Sequence, residues 1–535
     1  MARPSLPSSI TPQALHGLLL DDQELALLDV REARAYVGGH LNLARLAPLS
    51  CLPLDVRALV PRLGTPVVLV DAGDPHGPAP RAAKLLARLG YTDVRTLAGG
   101  TVAWQAAGFA LIDGYGTLVK AFGGQVLAHH ATPTWQGDAL RAHRTAGTPV
   151  TLIDARPADE YAFLSLPGAG NHPGCELALR QWPVDAQAGP WVVHCFSRTR
   201  GIIGSTSLRL LGHPDVHFLE DGVMQWALEG APVLQDALPA VDLPAASDEA
   251  LRRRADDLIA RHDLPLLHPD LLLRRQAEAD RTLYLFDLRP GAVVDGTPPG
   301  VGAVAGGQLL MHFENLIGTR GARIVLLDEP HRLRAAVTAF WLLQLNQAEV
   351  FILDGELPAS WIAGRDSGED LTASAGEGLS PAQLAALLRS APARIRVIDV
   401  GPSADFERAH LPGADYLLPY TLEPVAALQR PGLAIVFTSP DGRAARWVTA
   451  EVRERWPDCH AEWLQGGTDA WRAAGRPTEQ VWEPAQRLTP FEDDWGSVMR
   501  VPASHRDRAW TDYLVWERGL SARVVRDPTV RFRLF

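Results

Sequence analysis

The chain has 535 residues, of which 47% are hydrophobic and 21% charged, and its formal net charge at pH 7 is −11. This length and composition predict several globular domains, and the acidic balance argues against nucleic acid as the main partner, because phosphate binding requires a basic surface. No stretch of the sequence reaches the roughly 20 apolar residues of a membrane span, and the N-terminus lacks the pattern of a signal peptide, so we expect no membrane partner and a cytoplasmic location.

Four similar units follow one another along the chain. Each opens with an apolar strand that ends in an aspartate: Asp29, Asp154, Asp287 and Asp399. Each closes with a strand, a turn that contains glycine, and a tryptophan: Trp104, Trp226, Trp361 and Trp471. An arginine stands two positions after the first three aspartates, whereas Gly401 takes that position in the fourth unit. A repeat longer than about 100 residues indicates repeated domains rather than a solenoid.

Within each unit, short apolar runs alternate with helical patterns such as that of residues 79–90. This alternation predicts an α/β fold in which a mainly parallel sheet is flanked by helices, with active sites at the carboxyl ends of the strands. We therefore expect four tandem domains, at residues 8–112, 132–235, 247–365 and 378–478, followed by a C-terminal tail at 479–535. Residues 237–244 and 366–378 have the composition of linkers.

The C-terminal tail carries Trp482, Trp495, Trp510 and Trp516 and ends in the arginine-rich, aromatic segment Arg531–Phe535. Interleaved aromatic and arginine side chains can bind a partner, but packing of the tail across the four units explains them equally well. We favour packing.

Cys195 is the strongest candidate for a chemical role. It follows the apolar run Trp191–His194 and precedes a helical pattern at 202–211. The thiolate is the reactive form of cysteine, and we expect the N-terminus of this helix and the charges of Arg198 and Arg200 to lower the pKa of the thiol. The pattern predicts a nucleophile for a small anionic substrate. The alternative is a buried cysteine that only packs.

The remaining cysteines are Cys51, Cys175 and Cys459, and none of the four belongs to a CxxC pair. This spacing fits neither a disulfide framework nor a zinc site, so we expect no metal. Cys175 lies in a loop that could approach Cys195, where it could act as a resolving thiol, whereas we expect the other two to pack or to be exposed without a role. Strand alternation points His194 away from Cys195, which favours a structural role.

The other three units lack a thiol at the corresponding strand end. These positions hold Asp71, Asp328 and Ser439. An aspartate carries no transferable sulfur, and a serine without a general base is a poor nucleophile. We therefore expect these units to be structural, regulatory or docking modules, in which Asp71 and Asp328 place a carboxylate against the backbone N–H groups of an empty loop.

Together and in order, these motifs resemble the rhodanese family, and specifically its tandem four-domain members, over residues 8–478. The second unit carries most of the resemblance, in Asp154–Arg156, Asp159–Tyr161, Leu166–Ala169, Asn171, Cys195–Arg200, Asp221–Gly222 and Trp226. The fourth unit repeats the middle motif at His410–Ala414.

The resemblance implies sulfur transfer without a cofactor. Cys195 would take the outer sulfur of an anionic donor such as thiosulfate, hold it as a persulfide, and pass it to a thiol or a cyanide-like acceptor. Arg198 and Arg200 would orient the donor, within a binding loop completed by the residues Ser197, Thr199 and Gly201. Many family members carry glycine in place of Arg198, and this extra charge disfavours an uncharged donor. We expect Arg156 and Glu160 to form an ion pair near the site.

Two alternatives remain at this point. The first is a phosphatase or arsenate reductase, since these related enzymes have a similar loop but place five residues between their cysteine and arginine. Here four residues separate Cys195 from Arg200, and the next position is Gly201, so the loop does not have the phosphatase spacing. The second alternative is a regulatory or binding protein that uses the Cys195 persulfide as a carrier or sensor of sulfur without turnover.

Overall fold

The computed structural model describes residues 8–182, 189–278, 280–289, 300–361 and 371–535. Within these residues the strands form four sheets, in which every pairing between strands is parallel except one. Helices pack against the sheets, so the predicted α/β class with four mainly parallel sheets is confirmed. We call the sheets with their helices the first to fourth units.

The first unit is built around β4, which is buried along its whole length. Its strands are β1 (Ser8–Ile10), β2 (Leu25–Asp29), β3 (Arg45–Leu46), β4 (Val67–Val70) and β5 (Val94–Leu97). Its helices are α1 (Pro12–Leu20), α2 (Ala33–Val37), α3 (Leu52–Leu59), α4 (Pro78–Arg88) and α5 (Gly100–Ala106), and α6 (Thr117–His130) leads to the second unit. The strand order is β1-β5-β4-β2, and β3 pairs with β2.

The second unit contains Cys195. Its strands are β6 (Thr134–Trp135), β7 (Thr151–Asp154), β8 (Gly170–Asn171), β9 (Trp191–His194) and β10 (Val216–Leu219), in the order β6-β10-β9-β7-β8. Its helices are α7 (Gly137–Thr145), α8 (Ala158–Phe163), a 3-10 helix (Gly174–Leu179), α9 (Thr199–Leu210) and α10 (Gly222–Leu228). The central strand β9 is fully buried, as parallel strands covered on both faces are.

The third unit contributes a strand to the first sheet as well as forming its own. Its strands are β11 (Leu266–Leu267), β12 (Leu283–Asp287), β13 (Val301–Ala303), β14 (Thr319–Arg320), β15 (Arg323–Leu327) and β16 (Glu349–Leu353). Its helices are α11 (Asp248–His262), α12 (Pro269–Ala277), α13 (Gly306–Met311), α14 (Phe313–Leu316) and α15 (Leu333–Leu345). The sheet order is β11-β16-β15-β12-β13, whereas β14 pairs antiparallel with β2, which links the first and third units.

The fourth unit has the sheet order β18-β17-β19-β20. Its strands are β17 (Ile395–Asp399), β18 (Asp415–Tyr416), β19 (Ala434–Thr438) and β20 (Ala461–Trp463). Its helices are α16 (Pro381–Ser390), α17 (Ser403–Arg408), α18 (Glu423–Leu428), α19 (Arg443–Arg455) and α20 (Gly467–Ala473), with 3-10 helices at Ala373–Ala375 and Pro392–Arg394. Residues 366–370 of the expected linker lie outside the described residues.

The C-terminal tail packs across the other units, so the packing interpretation is confirmed. It contains 3-10 helices at Pro484–Gln486 and Ala503–His505 and the helix α21 (Arg506–Val524). One hydrophobic core joins side chains of the first three units, the connecting helix α6 and the tail: Leu15 of α1, Phe122 of α6, Phe218 of β10, Trp341 of α15 and Leu520 of α21. None of the helices in the described part of the chain combines the length and the apolar character needed to cross a membrane.

Candidate active site

The Cys195 loop begins where β9 ends and closes where α9 begins at Thr199. The predicted arrangement, a thiol between a strand and a helix, is therefore present. The Gly201 N–H hydrogen-bonds to the Cys195 sulfur, and the Val223 N–H donates to the Cys195 carbonyl oxygen at 3.0 Å. Gly222 has a φ of +51°, and a Cβ there would overlap that carbonyl oxygen. The glycine of the closing turn thus lets α10 approach and fix the loop.

Burial dominates the electrostatics of the thiol. Only 2% of Cys195 is exposed, and this burial raises the pKa of the thiol, whereas Arg200 and the Gly201 N–H lower it and Glu517 and Asp154 raise it further. The expectation that the helix and the arginines would lower the pKa is therefore wrong for this closed arrangement, because the loss of hydration outweighs the nearby positive charges. At neutral pH the resting site holds a thiol.

Both predicted donor-binding arginines are already paired with carboxylates. The two terminal nitrogens of Arg200 donate to Glu160 at 2.6 and 2.5 Å. Arg198 donates to Glu220, and to Asp221 at 3.0 Å. The positive charge beside the thiol is thus balanced before any ligand binds.

The expected ion pair between Arg156 and Glu160 is wrong. Arg156 instead forms a two-pronged pair with Asp154, at 2.9 Å from Nε and 2.6 Å from Nη2, and both side chains are fully buried. Because Asp154 takes this guanidinium, Glu160 is free to bind Arg200 of the Cys195 loop.

Helix α21 of the tail lies over the Cys195 loop, a position that the sequence did not predict. The Ser197 hydroxyl hydrogen-bonds to Tyr513 and Glu517, and the Thr199 hydroxyl donates to Oε1 of Glu517 at 3.5 Å. These contacts assign Ser197 and Thr199, two predicted substrate-binding residues, to the interface with the tail.

Aromatic and ionic contacts hold α21 in this place. The ring of Trp510 meets that of Phe196 edge-on, with centroids 5.3 Å apart, and Arg518 pairs with Asp221. The aromatic and charged residues of the tail were the only signal in the sequence, and they do not say which unit the tail covers.

Helix α6 adds a lysine to the same region. Lys120 lies 5.5 Å from the ring centroid of Tyr513 and 5.3 Å from that of Trp516, and its ammonium group donates to the Tyr115 carbonyl oxygen. Burial lowers the pKa of Lys120, and the charge of Glu517 raises it. The Cys195 region is therefore enclosed by the second unit, α6 and α21 together.

Cys175 faces the third unit. Its sulfur lies 3.3 Å from the Thr338 hydroxyl, both residues line a small apolar cavity together with Arg200, and burial raises the pKa of Cys175 to about 12. A thiol with this pKa stays protonated, which disfavours a resolving role.

The fully buried His194 places Nδ1 3.3 Å from the Cys195 carbonyl oxygen rather than at the thiol, as its structural interpretation requires.

The thiol-free loops hold oxygen atoms where the second unit holds sulfur. Asp71 accepts from the Gly73 N–H at 2.7 Å and from the Ala79 N–H at 3.0 Å. Asp328 likewise accepts from the N–H groups of Glu329 and Ala335, and Ser439 from that of Ala445, at distances of 2.8, 3.1 and 3.3 Å. The geometry supports the hypothesis that these side chains satisfy the backbone of an unused loop.

One group of side chains in the described residues has the spacing of a metal site. Asp328, Glu329 and His331 place ligand atoms within 4.8 Å of one another. Arg334, however, contacts both carboxylates, at 3.3 and 3.0 Å. Its guanidinium already supplies the positive charge that a metal ion would bring, so this cluster fits an ion-pair network better than a metal.

Comparison with known proteins agrees with the geometry. The sequence profile of the rhodanese-like domain matches residues 11–107 and 137–229, which lie in the first two units. The crystal structure of a thiosulfate sulfurtransferase from Pseudomonas aeruginosa is 33% identical, over 99% of this chain and 100% of that chain, with a TM-score of 0.88. The chain therefore belongs to the rhodanese-like family.

Two more distant structures cover smaller parts of the chain. A 3-mercaptopyruvate sulfotransferase from Escherichia coli is 17% identical and covers 40% of this chain and 98% of that chain, with a TM-score of 0.18. A rhodanese-related protein from Thermoplasma volcanium is 13% identical and covers 20% of this chain and 99% of that chain, with a TM-score of 0.17. Comparison with curated proteins gives no match.

Proposed function

We propose that the protein is a sulfurtransferase that moves sulfane sulfur from an anionic donor such as thiosulfate to a thiophilic acceptor through a persulfide on Cys195. The observation that carries this proposal is the position of the thiol, between β9 and α9, with the Gly201 N–H on its sulfur. The similarity to a thiosulfate sulfurtransferase along the whole chain supports the choice of donor.

The proposed reaction has two steps. The Cys195 thiolate attacks the outer sulfur of thiosulfate, a new S–S bond forms, the original S–S bond breaks, and sulfite leaves with the bonding electron pair. The terminal persulfide sulfur then goes to an acceptor such as cyanide or a thiol, and the thiolate is restored. The first turn of α9 supplies N–H groups for the negative persulfide. Arg198 and Arg200 bind the donor in exchange for the carboxylates with which they are paired in its absence.

In this proposal the four domains are residues 8–112, 132–235, 247–365 and 378–478. Only the second of them, which carries Cys195, transfers sulfur. The tail, from 479 to 535, completes its site. The reducing cytoplasm keeps thiols free and suits this chemistry.

A second candidate function is a persulfide carrier or sensor without turnover, which the 2% exposure of Cys195 favours, because a covered persulfide is protected from small acceptors.

Sulfur transfer from thiosulfate to cyanide separates these functions. We expect turnover by the wild type, none by Cys195→Ser, and wild-type turnover by Cys175→Ser, since Cys175 contacts Thr338 of the third unit. A persulfide that forms without turnover would favour the carrier. Equal and measurable turnover by the wild type and Cys195→Ser would contradict the role of Cys195 in both candidate functions.

A further inference from the structure

Helix α21 brings one carboxyl group to the Cys195 loop. Glu517 is 5% exposed, and its Oε1 accepts from the Thr199 hydroxyl at 3.5 Å. Among the described residues, its other oxygen, Oε2, has no hydrogen-bond partner. A buried carboxyl oxygen without a hydrogen-bond donor destabilises the folded state, because it has lost its hydration and no protein hydrogen bond replaces it. Glu517 is near enough to Cys195 for its charge to raise the pKa of the thiol, and its unpaired oxygen has a free lone pair that can accept a proton.

Charged and hydrogen-bonding groups of α6, α21 and the second unit surround Glu517. These groups are Lys120 of α6, Tyr513 of α21 itself, and Cys195, Ser197, Arg198, Thr199 and Asp221 of the second unit. Burial raises the pKa of the Glu517 carboxyl, and Lys120, Ser197 and Arg198 lower it. A carboxyl group with a raised pKa is a stronger base than an exposed one, as proton transfer from a thiol requires.

Three of the other groups near the thiol, Asp154, Glu160 and Tyr513, are not available to accept its proton. Asp154 holds the guanidinium of Arg156 with both oxygens, and Glu160 holds Arg200 in the same way. Burial raises the pKa of Tyr513 far above its usual value, so this phenol keeps its proton. His194 has its Nδ1 on the Cys195 carbonyl oxygen; its Nε2 has no hydrogen-bond partner among the described residues, and burial lowers the pKa of this imidazole, which makes it a weaker base.

We propose that Glu517 is the acid–base group of the Cys195 site, a role that rests on the proposed function. Its carboxylate takes the Cys195 proton as the sulfur attacks thiosulfate, and the resulting carboxylic acid passes this proton to the departing sulfite. One thiol, one carboxylate and one thiosulfate thus become one persulfide, one carboxylate and one hydrogen sulfite, with the total charge unchanged. While it holds the proton, Glu517 is neutral, so it does not repel the dianionic donor.

The substitution Glu517→Gln tests this role because it keeps the shape of the side chain and removes the base. We expect the single-turnover rate of persulfide formation at pH 7 to fall at least about tenfold. Glu517→Asp keeps a carboxyl group and should recover part of the rate. Asp512→Asn is the matched control, because Asp512 is on the same helix with its side chain 73% exposed, and it should leave the rate unchanged.

A negative charge that merely neighbours the thiol predicts the opposite sign. Glutamine would then lower the pKa of Cys195 and remove the repulsion of the donor, and persulfide formation would become faster. A faster or unchanged rate in Glu517→Gln, or equal losses in the Gln and Asp variants of a protein with unchanged melting temperature, overturns the proposal.

Alkylation of Cys195 by iodoacetamide distinguishes failure of this inference from failure of the proposed function. The reagent needs no sulfur donor, so it reports on the thiol even if the wild type forms no persulfide. We expect slower alkylation near pH 7 in Glu517→Gln than in the wild type and in Asp512→Asn. Faster or unchanged alkylation would contradict the role of Glu517 as the base, whatever the sulfur donor.

Discussion

The fourth unit contains a buried carboxylate that lacks the arginine of the other units. Asp399 ends β17, is 3% exposed, and accepts from the Gly401 N–H at 2.8 Å. In the second unit the equivalent Asp154 is held by Arg156, whereas glycine takes the arginine position here. Burial without a counter-ion raises the pKa of Asp399 to about 7. We therefore predict that Asp399→Asn stabilises the protein at alkaline pH.

The size of the effect follows from the pKa. The pKa of Asp399 rises from the usual 3.8 to about 7, and at about 1.4 kcal/mol per pKa unit this difference corresponds to about 4 kcal/mol. Because the folded state binds the proton more tightly, stability falls as the pH rises from 3.8 to about 7, and the full penalty applies above that range. The gain from Asp399→Asn should thus be about 4 kcal/mol at pH 8 and less than half as large at pH 5.

Urea unfolding of the wild type and the variant at pH 5 and pH 8 measures this difference. Asp154→Asn is the matched control, since it leaves the fully buried Arg156 without a counter-ion and should destabilise the protein by about 3–5 kcal/mol. The reasoning would be refuted if Asp399→Asn had the same effect at both pH values, or if it destabilised the protein at pH 8.

Two further predictions concern the loops at the strand ends. Asp71→Ala removes the acceptor of two backbone N–H groups, so the free energy of unfolding should fall by about 1–3 kcal/mol. The rate of sulfur transfer per folded molecule should stay the same. An unchanged melting temperature would contradict this prediction. Arg200→Ala removes the cation that lowers the pKa of Cys195, so alkylation of the thiol should require a higher pH and persulfide formation should become slower. A pH profile of alkylation that does not shift would contradict this prediction.

The sequence predicted what depends on local pattern. An apolar run followed by a cysteine and a helical pattern predicts a strand, a loop and a helix, and Cys195 lies between β9 and α9 as expected. The recurring glycine of the closing turn also has a local reason, because Gly222 adopts a positive φ where a side chain would strike the Cys195 carbonyl group. Four repeats of these patterns predicted the four sheets.

Features that depend on distant parts of the chain could not be predicted. Glu517 lies 318 residues after Thr199 and accepts a hydrogen bond from its hydroxyl. No local pattern in the sequence links the two residues. The pKa of Cys195 depends on its burial in the folded chain and on the charge of the distant Glu517, so nearby arginines alone gave the wrong direction. Glu160 binds Arg200 rather than Arg156 because Asp154, at the end of its own strand, already holds Arg156.

The mass of the intact protein after treatment with thiosulfate tests the central claim most directly. A persulfide on Cys195 predicts a gain of one sulfur atom in the wild type, located by peptide mapping on the Cys195 peptide, lost on addition of cyanide and absent from Cys195→Ser. A wild type that gains no mass, or a sulfur atom that maps to Cys51, Cys175 or Cys459, would contradict the claim that Cys195 carries the sulfur.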